Sequence, residues 1–142
     1  MDRTTYIEIT GKQYPMRFSV GASIAITKKF GSLQKMADNL KSEDGVDEAK
    51  TFETIIWMTE TLIRQGCAYK NLFESDLPIP EGAPVENGKY MPITAEKLEI
   101  GIDVADLGEI TKKIFATIGS GERKEIQTQE KENSKKNERK VM

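Results

Sequence analysis

Apolar positions in the first forty residues change period twice. Residues 6–10 (Tyr-Ile-Glu-Ile-Thr) and 13–18 (Gln-Tyr-Pro-Met-Arg-Phe) are short β-rich runs separated by Gly11 and Lys12, the spacing of a hairpin. Tyr14, Met16 and Phe18 share one face of the second run, and Pro15, which lacks a ladder N–H, predicts an edge strand. The period then becomes helical. Ser19 stands at an N-cap position, Ala22, Ile26 and Phe30 recur every four residues, and Lys28, Lys29 and Gly31 mark the end. Ser32 caps a second short helix whose stripe is Leu33, Met36, Ala37 and Leu40.

The longest periodic stretch predicts a helix over about 46–69. Phe52, Ile55, Ile56, Thr59, Leu62 and Ile63 form its stripe, and Trp57 and Met58 widen it. Acidic Asp47 and Glu48 suit its start and Arg64 its end. A helix apolar over so much of its circumference belongs at the centre of a core. Residues 74–92 hold four of the five prolines and no helical period, which predicts a long irregular loop with extended pieces at 77–79 and 89–91. Thr94 then caps a short helix. Asp103 caps a longer one with Leu107, Ile110, Ile114 and Ile118 as its stripe and Phe115 beside it, closed by Gly119-Ser120-Gly121. The expected fold class is α+β: an N-terminal β-hairpin packed on a mainly α-helical body of four to five helices.

Composition adds a boundary. The 142 residues contain 37% hydrophobic and 31% charged residues, low and high for a chain that packs throughout. Residues 119–142 hold seven Lys or Arg and five Glu, and Ile126, Val141 and Met142 are the tail's large apolar residues. That stretch cannot bury enough surface to offset the entropy of ordering, so a globular domain over 1–118 and a flexible charged tail over 119–142 are expected. The tail's net +2 leaves −4 on the rest of a chain whose net charge is −2. An acidic body argues against nucleic acid as the main partner. No run approaches membrane-spanning length and the start has no apolar signal region, which predicts a cytoplasmic protein.

Candidate chemistry is sparse. There is no histidine, which removes the commonest general base and metal ligand, and Cys67 stands alone. The stretch Ser19-Val20-Gly21-Ala22-Ser23 follows a strand and opens a helix, as phosphate loops do. It has one glycine, however, and its lysines come two turns too late, so capping explains it better. Gly119 to Lys124 follows a helix, where the dipole disfavours an anion. Glu43, Asp44, Asp47 and Glu48 lack the alternating oxygen ligands of a calcium loop, and Asp103 with Asp106 reads as capping. No catalytic residue, cofactor site or metal site is expected.

The order of elements is more specific: "YIEITGKQYPMRFSVGASIAI", a long amphipathic helix, a loop, "PITAEKLEIGIDVADLGEITKKIFATIG" and a charged tail. In this pattern, over most of its length, the chain resembles the tail assembly chaperones of long-tailed phages and prophages of Gram-positive bacteria. The resemblance rests on apolar and helix-boundary positions and on no chemical signature. It implies a non-catalytic protein of the host bacterial cytoplasm, absent from the mature virion. Such a protein coats the tape measure protein, keeps it soluble and recruits tail tube subunits. It also implies a longer, frameshifted form of the same chain; Lys135-Lys136-Asn137 is compatible with a slippery A-rich codon run. Homo-oligomer formation stays open.

A binder of apolar helices needs exposed apolar surface on a charged body. Leu72, Phe73, Leu77, Ile79, Tyr90 and Met91, flanking the long loop, are the partner-binding candidates; the same residues could equally cover the core from outside. The competing class is a small DNA-associated or regulatory prophage protein, with a helix-turn-helix fragment at 32–41 and the tail as a basic arm. An enzyme ranks third, for want of any motif, and a generic interaction domain with an unrelated partner is harder to exclude.

Overall fold

The computed structural model describes residues 3–41 and 48–122. Its α+β architecture starts with an antiparallel hairpin, β1 (Thr5–Ile9) and β2 (Lys12–Met16), followed by α1 (Val20–Phe30), α2 (Leu33–Leu40) and the central α3 (Glu48–Phe73). A second hairpin, β3 (Val85–Glu86) and β4 (Lys89–Tyr90), precedes α4 (Ala95–Gly101), a single 3₁₀ turn (Val104–Asp106) and α5 (Leu107–Glu122). Helix α3 touches β2, β4 and all four other helices, so the core forms around it as its wide apolar stripe requires. Met58, Leu62, Ile63 and Cys67 are fully buried there with Met16, Ile26, Met36, Leu98 and Ile114.

The first hairpin turns at Thr10 and Gly11, both at positive φ (50° and 87°), with Ile9 paired to Lys12. The turn therefore lies one residue earlier than the sequence spacing suggests. Two adjacent positive φ values match the right-handed twist of the strands. Strand β2 buries Tyr14, Pro15 and Met16 and stops there; Phe18 lies beyond it, half-buried. Helix α3 crosses β2 at Gly66, where a Cβ would stand 2.2 Å from the Pro15 carbonyl oxygen. The Arg17 N–H donates to the Leu62 carbonyl at 3.1 Å at the same crossing. Glycine is what lets helix and strand backbones meet.

The caps expected at Ser19, Ser32 and Thr94 are present: each hydroxyl accepts from the backbone three residues on, at 3.1, 3.0 and 3.3 Å. Gly31, at φ 98°, closes α1 by donating to the Thr27 carbonyl. Asp103 makes no side-chain cap bond; it precedes the 3₁₀ turn, and α5 starts only at Leu107. Helix α3 runs to Phe73, past the expected end at 69. Helix α5 runs through Gly119-Ser120-Gly121 to Glu122, so the glycines expected to end the domain are helical. Gly121 abuts Phe18, whose carbonyl oxygen would lie 2.4 Å from an added Cβ. Residues 123–142 of the expected tail lie outside the described residues.

Candidate protein-interaction surface

The last turn of α3 is where the core helix leaves the core. Cys67 is buried, whereas Leu72 and Phe73, five and six residues on, are 72% and 70% exposed. The same segment is tethered on its other side. The Lys70 ammonium bonds Glu74 at 2.8 Å, and the Arg17 guanidinium lies 3.7 Å from the centroid of the Tyr69 ring. Tyr69 packs on Phe73 with centroids 5.3 Å apart. Burial opposes the charge on Lys70, but hydrogen bonds to Glu74 and Tyr6 outweigh it and hold the ammonium above the ordinary lysine range. The chain then turns, with the Leu77 N–H on the Glu74 carbonyl at 3.1 Å, and Leu77 and Ile79 follow, 52% and 45% exposed.

Asn71 fixes the loop that returns from this turn. Its side-chain amide donates to the Tyr90 carbonyl at 3.0 Å, and its carbonyl oxygen accepts from the Tyr90 N–H at 2.9 Å. One side chain thus satisfies both backbone groups of a residue on β4, as a neighbouring strand would. The consequence corrects one expected partner-binding residue: Tyr90 is buried, 8% exposed, and belongs to the core. Burial raises its phenol above the ordinary tyrosine value, with Lys70 opposing.

Met91 is exposed but faces elsewhere. It lines a cleft of about 320 Å³ with Pro84, Val85, Pro92 and Ile100, rimmed by Lys12 and Lys97. The six residues singled out in the sequence therefore divide into an α3-end group (Leu72, Phe73, Leu77, Ile79), a core residue (Tyr90) and a residue of a separate cleft (Met91). Exposed Val20, Ile24, Ile100 and Val104 were not anticipated. Val20 and Ile24 fall off the Ala22, Ile26 and Phe30 stripe, which is a legible signal. So is Ile100, two residues past buried Leu98.

Of the side chains weighed for chemistry, Ser19 is engaged and Cys67 is buried. The Ser19 hydroxyl accepts from Ala22 N and donates to the Gln65 side-chain oxygen, as a cap and tether. Burial pushes the Cys67 thiol up to about 12, so it is neutral at ordinary pH. No group of three or more Cys, Asp or Glu side chains is placed to hold a metal among the described residues. Residues 43, 44 and 47 of the first acidic cluster lie outside them. A cleft of about 810 Å³ beside Trp57 mixes Lys29, Lys35 and Lys50 with Asp38, Glu53 and Glu99, whose formal charges cancel. No described helix is long and apolar enough to cross a membrane.

Fold and surface together define an α+β domain with an apolar outcrop at the end of its central helix. Compared with protein-family models, curated proteins and solved structures, the chain matches none.

Proposed function

We propose that this chain is a non-catalytic tail assembly chaperone of a long-tailed phage or prophage. It binds the tape measure protein, keeps it soluble and recruits tail tube subunits. It works in the host bacterial cytoplasm and does not enter the finished virion. The observation that supports this reading is the outcrop of Leu72, Phe73, Leu77 and Ile79, four exposed large apolar side chains within eight positions. Single exposed leucines are ordinary on a soluble surface, whereas a run of this density is a feature of interaction sites.

Each such side chain contributes about 1.5–3 kcal/mol when fully buried, before the costs of association are set against it. A site of this size binds one apolar helix weakly. Many copies along a long helical partner gain by multivalency, which suits a coat that must later be displaced. The frameshifted longer form would bring tube subunits to the same coat. The test is co-expression with the tape measure protein from the same genome, scored by soluble yield. The reading requires that yield to rise well above the level without this chain. An insoluble tape measure protein beside abundant, folded chaperone refutes it. Within that assay Leu77→Glu with Ile79→Glu should lower the yield without changing the thermal midpoint of the domain.

A further inference from the structure

The first hairpin has two edges, and they are not equivalent. In a two-residue hairpin the pair flanking the turn exchanges both hydrogen bonds, so Ile9/Lys12, Ile7/Tyr14 and Thr5/Met16 bond within the ladder. Tyr6, Glu8, Gln13 and Pro15 consequently turn their backbone polar groups outward. The β2 edge is closed. The Gln13 N–H donates to Gly82 O at 2.9 Å, Pro15 has no N–H, and the next outward amide, Arg17, is held by Leu62. On the β1 edge the Tyr6 carbonyl accepts from the Lys113 ammonium at 3.0 Å. The Tyr6 N–H and both backbone groups of Glu8 have no protein partner among the described residues. An open strand edge is a template for another strand.

This edge borders a groove of about 580 Å³ that runs between β1 and the segment entering α5, with Ile102 and Ile110 in its lining. Its charged residues are Glu8, Asp106, Glu109 and Lys113, a net of two negative charges. From the Tyr6 N–H to the Glu8 carbonyl the open edge spans three residues, about 10 Å at about 3.4 Å per residue. We infer that the β1 edge is a second binding site, which takes an extended Lys- or Arg-bearing segment of a partner protein as a third strand. Main-chain bonds to the Tyr6 N–H and to both backbone groups of Glu8 supply affinity, and the carboxylates select the basic side chains. A second copy of this chain is a poorer occupant. A two-fold interface would set the same acidic edge against itself. The site shares no residue with the α3 outcrop, and neither proposal depends on the other.

The test uses the full chain and a fluorescein-labelled heptapeptide alternating lysine and valine, followed by anisotropy and by amide hydrogen exchange. Expected are saturable binding, exchange at Tyr6 and Glu8 slowed about tenfold or more, and binding weakened about tenfold or more by Glu8→Lys with Glu109→Lys. Both glutamates are exposed, so the double variant should fold. Of two peptides N-methylated on alternate amides, one on each edge of the strand, one should lose binding by a similar factor, and a glutamate-for-lysine peptide should not bind. Absence of binding, equal binding of both methylated peptides, or unchanged exchange at Tyr6 and Glu8 would overturn the inference. Protection of those amides that rises with protein concentration alone would assign the edge to a second copy, and would overturn it too.

Discussion

Replacing Gly66 with alanine adds one methyl group to the middle of a helix, where alanine is ordinarily favoured by about 1 kcal/mol. Here the methyl would stand 2.2 Å from Pro15 O, 2.4 Å from Pro15 C and 2.8 Å from Met16 N. All three are backbone atoms, so no side-chain rotation relieves the clash. Restoring ordinary contact moves β2 off α3 by about 1 Å, at an overpacking cost of about 1–3 kcal/mol. The same movement strains the bond from Arg17 N to Leu62 O, worth about 0.5–1.5 kcal/mol. The clash outweighs the propensity gain, and Gly66→Ala should destabilise the domain by about 2 kcal/mol. With a urea m-value of about 2 kcal/mol per molar, the midpoint falls by about 1 M. Gly119→Ala is the matched control: it is also helical, with nothing within 4 Å of the added Cβ, and should be neutral or stabilising by up to about 1 kcal/mol. A Gly66→Ala midpoint equal to or above that of the unsubstituted chain, with m unchanged, would refute the backbone crossing.

Three further outcomes follow from the same geometry. Gly121→Ala should destabilise by about 1–3 kcal/mol in urea denaturation, because the new methyl meets the Phe18 carbonyl oxygen at 2.4 Å; wild-type stability would mean that α5 stops short of this contact. Asn71→Ala removes both partners of the Tyr90 backbone and should cost about 1–3 kcal/mol, with faster amide exchange at Tyr90 as the direct readout. The Cys67 thiol is raised in the folded state, so unfolding favours its ionisation. The associated stability is intact below about pH 9 and is lost as pH rises toward about 12, and Cys67→Ala should flatten that alkaline decline.

Local signals were legible where a single residue type does a single job. Ser19, Ser32 and Thr94 begin helices because their hydroxyls reach backbone N–H groups three residues on, and Gly31 ends one because φ 98° excludes other residues. The misreadings came from residues whose role is set at a distance. Gly119-Ser120-Gly121 has the composition of a linker, yet Gly121 is small because Phe18 packs against it. Residues 70–73 extend α3 because nothing breaks the helix until the turn after Phe73.

The second hairpin had a clear local signature in Asn87-Gly88, both at positive φ, but the prolines around it read as irregular loop. The candidate surface was legible in part for the same reason. Exposure of Leu72, Phe73, Leu77 and Ile79 follows from apolar residues continuing past the last buried turn. The burial of Tyr90 depends on Asn71, nineteen positions away, and no local pattern announces it.

The proposed function turns on whether the end of α3 holds an apolar helical partner. Its most direct measurement is the soluble yield of tape measure protein co-expressed with the Leu72→Glu, Phe73→Glu double variant. Both side chains are about 70% exposed, so the double variant should fold, its stability lowered by no more than the lost Phe73–Tyr69 ring contact, about 0.5–1.5 kcal/mol. Soluble tape measure protein should then fall to the level seen without this chain. Undiminished yield from a folded double variant would contradict the proposal.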